Sequence, residues 1–445
     1  MKKAFLLFLC LLLALPALLQ AQAVDGEALA LETLADLAAG DYTAVFASCD
    51  AAMREALGDE DGVARLWAQL EMAFGAFETV ETATCSAQSG YLVVLVQCVF
   101  ATSDVTLQLA YDSDGAFAGL SVAFFAAKES AQELPGETVL LREGAQDETP
   151  ATLLLPQGEG PFPCVILVHG SGASDKNLSA YGAAPFLDLA QGLAERGIAS
   201  IRYDKYTYAH SQLCMNADFT VQQEYINDAL AAFQALEQDE RISSVFVVGL
   251  SHGAMLAPRI MEQMKGEKLL GAVLLEGSPL PLWQIMLSQM EAAIAPLSGE
   301  EAAQAQAQLD AQRAQFEALA GMTDEERMQA QILPGVSGYY FYDEASFDAA
   351  KGANALGLPL LIVQGGKDFQ VTPQNGIDAW KEALDPSLPV EYAYYENMTH
   401  LLFDLQGEST ASIADYVNPG PVSTALLDDM AAWILRTAAG EDAAQ

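Results

Sequence analysis

A serine flanked by two glycines lies at the boundary between an apolar segment and a helix-like segment. The pentapeptide is Gly249-Leu250-Ser251-His252-Gly253, and it follows the apolar run at residues 245–248. The flanking glycines permit a sharp strand-to-helix turn that lifts a hydroxyl out of the backbone, near the positive end of a helix. The pattern therefore predicts that Ser251 is a nucleophile for acyl transfer.

A serine nucleophile needs a base, and the chain has only four histidines that could supply one. His169 and His210 precede the serine in the chain. His252 is adjacent to the serine, where the backbone turns its side chain away from the hydroxyl. His400 follows a strand-like run at residues 392–395. By elimination and by position, we predict that His400 is the base.

An orienting acid would fix the tautomer of the imidazole and stabilise the imidazolium. Asp368 lies just past the apolar run at residues 360–364, and a carboxylate at the carboxyl end of a strand can reach the loop of the next strand. We therefore predict that Asp368 is this acid. Asp404 is the alternative, although it is close in sequence to His400.

An oxyanion hole needs two backbone N–H donors near the serine. The amide that follows the nucleophile belongs to His252, and the second donor must come from a loop after an early strand. The loop His169-Gly170-Ser171-Gly172 follows the apolar run at residues 165–168, and Ser171 is the predicted donor. We expect His169 itself to be a hydrogen-bonded structural residue of this loop.

The elements around these residues predict a doubly wound α/β domain at residues 135–438. Buried parallel strands read as continuous apolar runs, because helices cover both faces of the sheet. Such runs occur at residues 164–169, 199–203, 245–249, 272–276, 358–364 and 390–395. An alanine- and glutamine-rich stretch at residues 278–345 predicts a helical cap inserted over the carboxyl edge of the sheet.

Residues 24–130 show a different pattern, which predicts a small α+β domain. Helical spacing over residues 26–38, 42–56 and 62–74 is followed by four strand-like segments with turns between them. Helices followed by an antiparallel meander favour helices packed on one face of a curved sheet. The polar residues of this region show no catalytic grouping.

Five ordered motifs make the region at residues 135–438 resemble the α/β-hydrolase superfamily. The resemblance is to the secreted or periplasmic esterases and peptidase-like hydrolases that are grouped with dienelactone hydrolases and serine aminopeptidases. It implies acyl-enzyme chemistry with no cofactor and no metal. The motifs are His169-Gly170-Ser171-Gly172, Arg202-Tyr203-Asp204-Lys205, Gly249-Leu250-Ser251-His252-Gly253, Gly366-x-Asp368 and His400.

The first domain resembles the small domain of unknown function, DUF3887, that precedes secreted bacterial α/β-hydrolases. That domain has a cone-like fold of the nuclear-transport-factor-2 (NTF2) type, which the resemblance implies here. Three short motifs carry it: Gly40-Asp41-Tyr42, Gly75-x-Phe77 and Tyr111-Asp112-x-Asp114-Gly115.

The composition excludes some partners and the N-terminus indicates export. With 20 basic and 60 acidic residues the formal charge is −40, which disfavours nucleic acid and anionic membranes. Residues 1–23 have the three parts of a cleavable secretory signal, with cleavage expected after Ala23, and no later segment is apolar enough to span a membrane. The protein is expected to be extracytoplasmic. Cys85 and Cys98 could pair across a hairpin or remain free thiols; the oligomeric state stays open.

These observations predict a secreted serine hydrolase that cleaves carboxylic esters of small molecules. The cap would supply an apolar and aromatic substrate pocket, although the same side chains could instead pack the cap onto the sheet. A peptidase is the alternative, with Glu276 or Glu344 as a site for a free amino terminus. A catalytically silent binding protein is the second alternative. The predicted substrate contacts are Trp283, Met286, Tyr339 and Tyr340.

Overall fold

The computed structural model describes residues 25–88, 91–101, 103–127, 136–333, 335–416 and 419–441. The expected signal segment at residues 1–23 lies outside the described residues. The chain divides into two compact units, a smaller one that comprises residues up to 133 together with Ala180–Gly182, and a larger one that comprises the remaining residues from 134 onward. In the part of the chain that the structure describes, no helix has the length and apolar character needed to cross a membrane.

Four helices and an antiparallel sheet form the smaller unit. An aspartate side chain caps the N-terminus of each helix, which satisfies a backbone N–H that has no partner inside the helix. The sheet has the strand order β1-β2-β3-β4. The elements are α1 (Gly26–Ala39), α2 (Tyr42–Ser48), α3 (Ala51–Leu57), α4 (Glu60–Phe74), β1 (Phe77–Gln88), β2 (Tyr91–Phe100), β3 (Ser103–Tyr111) and β4 (Phe117–Ala127).

The helix predicted over residues 42–56 is two helices in the structure. The chain leaves the helical conformation at Cys49, and the side chain of Asp50 accepts a hydrogen bond from the Met53 amide at 2.7 Å. Asp50 therefore begins a new helix where the sequence pattern indicated continuation. Helical spacing of apolar residues spans such a break, because it does not detect an internal N-cap.

Of the two alternatives for Cys85 and Cys98, the structure has the free thiols and not the disulfide. In the antiparallel register of β1 and β2, Gln88 lies opposite Tyr91, which places Cys85 opposite Val94 and Cys98 opposite Val80. Cys85 and Cys98 are thus several residues apart along the hairpin, too far for an S–S bond.

The larger unit is built on an eight-stranded sheet with the order β14-β13-β10-β9-β7-β8-β6-β5. Neighbouring strands from β8 through β14 in this order are parallel, and β6 and β5 are antiparallel additions at one edge. The short strands β11 and β12 form a separate hairpin. The bounds are β5 (Glu137–Leu141), β6 (Thr149–Leu154), β7 (Phe162–Val168), β8 (Ala199–Tyr203), β9 (Ile242–Leu250), β10 (Leu269–Leu275), β11 (Gln331–Leu333), β12 (Val336–Ser337), β13 (Leu360–Gly365) and β14 (Val390–Tyr395).

Helices cover both faces of this sheet, so the predicted doubly wound α/β architecture is confirmed. One core cluster holds α7, α8 and the cap, and a second cluster on the opposite face holds α5 and α15. The helices are α5 (Pro185–Glu195), α6 (Tyr206–Ala209), α7 (Asn227–Gln238), α8 (His252–Gln263), α9 (Leu282–Ile294), α10 (Gly299–Ala318), α11 (Asp324–Gln329), α12 (Gly338–Ala345), α13 (Ala349–Leu356), α14 (Ala379–Ala383) and α15 (Thr424–Ala438). Short 3-10 segments occur at Ser211–Met215, Leu319–Gly321 and Ile413–Tyr416, and π-type turns at Gln222–Ile226 and Gln374–Asp378.

The segment between β10 and α13 contains α9 to α12, as the helix-rich composition of the insertion predicted. The cap is fastened to the loop after β13 by polar contacts of α9. The Gln289 side chain donates to the Gln370 carbonyl at 2.9 Å, and the side-chain amide of Asn375 donates to the Ser288 hydroxyl at 2.7 Å. On its other side, Arg259 of α8 forms an ion pair with Asp343 of α12 at 2.9 Å.

The unpaired cysteines give a direct chemical test of the structure. We expect the chain from residue 24 onward, unfolded in guanidinium without reductant, to show five reactive thiols in a colorimetric thiol titration. In the folded protein Cys98 should react slowly, because burial raises the pKa of its thiol to about 12. A count of three thiols would mean that one disulfide exists.

Candidate active site

Ser251 occupies a strained turn between β9 and α8. Its backbone has φ 55° and ψ −119°, a left-handed conformation that a side chain rarely adopts. A side chain at Gly253 would collide with the carbonyls of Val168 and His169 at the end of β7. Only glycine therefore allows the turn to approach this strand so closely. The predicted strand, sharp turn and helix are all present.

His400 and Asp368 are joined by a short hydrogen bond. Nδ1 of His400 lies 2.7 Å from Oδ2 of Asp368, and both side chains are buried. The other oxygen of Asp368 accepts the amides of Gln370 at 2.7 Å and Val371 at 2.9 Å. These bonds fix the carboxylate and assign the imidazole proton to Nδ1, so the lone pair for accepting a proton is on Nε2.

The sheet explains why these residues share one edge. β9, β10, β13 and β14 are parallel neighbours, and Ser251, Asp368 and His400 all follow the carboxyl ends of strands of this set. Among the described residues the hydroxyl of Ser251 has no hydrogen bond to His400. The alternative acid Asp404 is instead bound to the hydroxyl of Ser423 at 2.8 Å.

The loop with the predicted second oxyanion donor lies against the nucleophile. A Cβ at Gly170 would lie 3.3 Å from the Cβ of Ser251, so the residue before Ser171 is in contact with the serine. His252 is the first residue of α8, and its amide is among the first N–H groups of that helix, which have no partner inside it. Gly170, the residue before Ser171, and the His252 amide thus both lie at the Ser251 turn, and Ser171 stays the predicted second donor.

A buried lysine that the sequence did not single out for this role supports the loop. The ammonium of Lys205 donates to the carbonyls of Gly170 at 2.8 Å and Gly172 at 2.7 Å, and it pairs with Glu224 at 2.6 Å. Burial lowers the pKa of Lys205, and the charge of Glu224 opposes this effect. The motif Arg202-Tyr203-Asp204-Lys205 marked the segment, but its spacing in sequence gave no sign of this contact.

Tyr225 connects the same loop to His252. Its hydroxyl donates to the Gly170 carbonyl at 2.9 Å and lies 2.9 Å from Nδ1 of His252. The imidazole of His252 is buried, and its Nε2 is 3.7 Å from a carboxyl oxygen of Glu344. The two ring nitrogens of His252 therefore face Tyr225 and Glu344.

The remaining two histidines have structural contacts. Nε2 of His169 lies 3.0 Å from the Asp175 carbonyl, and burial together with the charge of Lys205 lowers the pKa of His169 to about 3. His169 is therefore a neutral residue that supports its loop, as expected. Nε2 of His210 is 2.9 Å from the Thr149 hydroxyl.

Most of the predicted substrate contacts are used for packing. The ring of Trp283 stacks on Phe316 with centroids 5.6 Å apart, and Met286 packs against the main core. Tyr340 is buried and donates its hydroxyl to Glu224 at 2.6 Å. Tyr339 is half-buried. These contacts agree with the alternative that the aromatic residues pack the cap onto the sheet.

A small apolar cluster lies closer in sequence to the reactive residues. Met255 is on the first turn of α8 after Ser251, Val371 follows Asp368, and Ile285 comes from α9 of the cap; these three side chains pack together and are buried. Met255 and Val371 are close in sequence to Ser251 and Asp368, which could have marked them as neighbours of the site. Nothing in the sequence indicated that they contact Ile285.

The two acids proposed for binding an amino terminus are both enclosed. Glu276 is fully buried, and its Oε2 accepts the side-chain amide of Gln364 at 2.7 Å. Glu344 is buried and accepts the Leu282 amide at 3.2 Å. One oxygen of Glu276, one of Asp368 and a ring nitrogen of His400 lie within 4.8 Å of one another. The short bond between Asp368 and His400 and the two amides on Asp368 form a hydrogen-bonded relay, which uses three of the four lone pairs of the Asp368 carboxylate.

The fold is that of the α/β-hydrolase class. Residues 161–406, more than half of the chain, match the Hydrolase_4 family, described as serine aminopeptidase, S33. The chain belongs to this family. Residues 30–120 match DUF3887, a protein family of unknown function. The smaller unit thus corresponds to the predicted DUF3887-type domain.

Individual relatives include esterases and a peptidase. The chain is 28% identical over 380 residues to esterase EstD of Thermotoga maritima, a match that covers 84% of this chain and 87% of the relative. Among solved structures it is similar to Est1E from Butyrivibrio proteoclasticus, with a TM-score of 0.42, 14% identity, and coverage of 68% and 100%. It is also similar to a proline iminopeptidase from Mycobacterium smegmatis, with a TM-score of 0.43, 16% identity, and coverage of 68% and 100%.

The loop His169-Gly170-Ser171-Gly172 is called the oxyanion loop below. Substitution of the buried pair Lys205 and Glu224 tests whether this pair stabilises the loop. We expect Lys205→Met to destabilise the fold by about 3–5 kcal/mol in urea unfolding, because it leaves Glu224 buried without its counter-charge. The double variant Lys205→Met with Glu224→Gln should lose less than the sum of the two single variants, because it removes both charges. Strict additivity in this cycle would mean that the pair does not interact.

Proposed function

We propose that this protein hydrolyses carboxylic esters through an acyl-enzyme intermediate on Ser251. The observation that carries the proposal is the 2.7 Å bond between His400 and Asp368 at the sheet edge that also presents Ser251 in its strained turn. The similarity to esterase EstD over most of both chains supports the ester as substrate. Strain at a single residue of about 1–3 kcal/mol persists where the surroundings enforce it, as at reactive sites.

The proposed reaction uses each residue in one role. His400 takes the proton of Ser251 on Nε2, and the serine oxygen attacks the ester carbonyl. The amides of His252 and Ser171 hold the negative oxygen of the tetrahedral intermediate. His400 then gives its proton to the departing alcohol. Water then attacks the acyl carbon as it loses a proton to His400, and His400 returns that proton to the oxygen of Ser251 as the acid leaves. Asp368 stabilises the imidazolium in both halves of the cycle.

We further propose that the substrate is a small ester with an apolar acyl or aryl group. The buried cluster of Met255, Ile285 and Val371 places apolar side chains between the nucleophile turn, the Asp368 loop and the cap. The strongly acidic composition opposes a polyanionic substrate, because like charges repel in encounter. No cofactor or metal is needed for the proposed steps.

Active-site labelling with a fluorophosphonate tests the nucleophile. We expect the wild-type protein to be labelled and Ser251→Ala to remain unlabelled. Asp368→Asn should lower kcat for a nitrophenyl ester about 10⁴-fold, because the imidazole would take the wrong tautomer. Asp404→Asn and His210→Ala are matched controls that should retain turnover. An unlabelled wild-type protein would favour the alternative of a catalytically silent binding protein.

A substrate comparison tests the ester against the amide. Nitrophenyl esters of short to long acyl chains are assayed beside aminoacyl amides, with kcat/KM as the readout. We expect esters to be hydrolysed and amides to be poor substrates, since Glu276 and Glu344 are both enclosed and bonded within the protein. Faster turnover of aminoacyl amides would establish the peptidase alternative.

We also propose that the protein is exported and acts outside the cytoplasm, with cleavage of the signal after Ala23. The three-part pattern of residues 1–23 supports this proposal. Expression of the full chain should yield a product whose N-terminal sequence begins at Val24. A product that retains Met1 in the cytoplasmic fraction would contradict it.

A further inference from the structure

Glu276 is a buried acid next to the relay, and the proposed reaction leaves it without a role. It follows β10, its backbone has φ 48°, and its amide donates to the Val363 carbonyl of β13 at 3.1 Å. Its side chain is fully buried. A left-handed backbone and an enclosed carboxyl are both costly, so the surrounding structure must stabilise this arrangement.

The neighbouring amide of Gln364 indicates which oxygen of Glu276 accepts a hydrogen bond. Nε2 of Gln364 donates to Oε2 of Glu276 at 2.7 Å and faces the Val371 carbonyl at 3.0 Å, whereas its Oε1 accepts the Ile377 amide at 3.3 Å. The amide therefore has only one orientation that satisfies its surroundings. Oε2 is an acceptor, and Oε1 accepts no hydrogen bond from a described residue.

Asp368 is better stabilised as a carboxylate than Glu276. Asp368 has two backbone amides on one oxygen and the N–H of His400 on the other, all at 2.9 Å or less. Among the described residues, Glu276 has the side-chain amide of Gln364, a backbone contact from Gly365 and no cationic partner. Hydrogen bonds to a carboxylate favour its charged form, so the charge resides on Asp368 and the proton on Glu276.

The electrostatics agree with this assignment. Burial, the charge of Asp368 and a hydrogen bond to Asp368 together hold the pKa of Glu276 well above its ordinary value, and the Gly365 backbone offsets only part of the rise. Among the described residues, the titratable groups that face Glu276 are Asp368, from the loop after β13, and His400, from the loop after β14.

We propose that Glu276 is a positioning residue of the relay, a neutral carboxylic acid that donates its proton in a hydrogen bond to Asp368. This bond holds Asp368 in line with His400. It also keeps a single negative charge behind the imidazole. A second carboxylate there would favour the imidazolium, which has no lone pair to accept the serine proton. The inference rests on the proposed ester hydrolysis for its functional consequence.

Two substitutions of Glu276 distinguish a hydrogen bond donated to Asp368 from a side chain that only fills space. In Glu276→Gln the amide oxygen can accept from Gln364 and the amide N–H can donate to Asp368, so the variant mimics the neutral acid but cannot ionise. In Glu276→Leu no donor remains. We expect Glu276→Leu to lower kcat about 10- to 100-fold with little change in KM, because a hydrogen bond to a charged group is lost. Glu276→Gln should retain most of the activity that Glu276→Leu loses.

The acid limb of the pH–rate profile of kcat/KM reports the charge of Glu276. If Glu276 is neutral in the wild-type protein, Glu276→Gln should leave the midpoint of this limb unchanged. A midpoint that moves to lower pH by about one unit or more would show that Glu276 is ionised and would overturn the proposal. Equal kcat for the Gln and Leu variants would also overturn it. Asp228→Asn removes another buried acid and should leave the limb in place.

Thermal unfolding tests the proton on Glu276 without any assay of activity. A carboxyl whose folded pKa is raised binds more protons when folded than when unfolded, so it costs stability as the pH rises above its unfolded pKa. The melting temperature of Glu276→Gln minus that of the wild type should therefore increase between pH 5 and pH 8. A difference that is independent of pH would contradict the neutral acid. If no ester is hydrolysed but the difference increases, ester hydrolysis fails as the function while the protonation state stands.

Discussion

The close approach of the nucleophile turn to the end of β7 is the constraint on which the rest of the site depends. At Gly253 the backbone of α8 lies against the carbonyls of Val168 and His169, with no space for a side chain. This contact fixes Ser251 in a left-handed conformation and sets the loop with Ser171 beside it. The position of the hydroxyl is thus determined by backbone packing, which is stiffer than any contact between flexible side chains.

Buried polar groups then hold the loops that backbone packing alone would leave free. Lys205 binds carbonyls on both sides of Ser171, and Tyr225 links the same loop to His252. Glu224 supplies the counter-charge and also accepts the hydroxyl of Tyr340 from the cap. One connected network therefore joins the oxyanion loop, the nucleophile helix and the cap. A network of this kind is rigid only while every member is satisfied.

Behind His400, the two neighbouring acids Asp368 and Glu276 carry one negative charge between them. Asp368 has three close donors that stabilise a carboxylate, and the neighbouring acid Glu276 has fewer. Since both are enclosed, two charges could not coexist there at low cost. The proton assigned to Glu276 is consistent with an imidazole that is neutral and ready to accept the proton of a serine.

The sequence by itself determined the class of fold and indicated the residues that are proposed to react. Apolar runs of strand length, a glycine-flanked serine and a scarcity of histidines depend on composition and short spacing, which are local properties. Register and side-chain packing are not local. Only the tertiary structure placed Cys85 away from Cys98, divided a continuous helical pattern at Asp50 and turned Tyr340 into a packing residue. The roles of Lys205 and Glu276 likewise appear only when distant strands bring their partners together, because the charge of a buried group depends on what surrounds it.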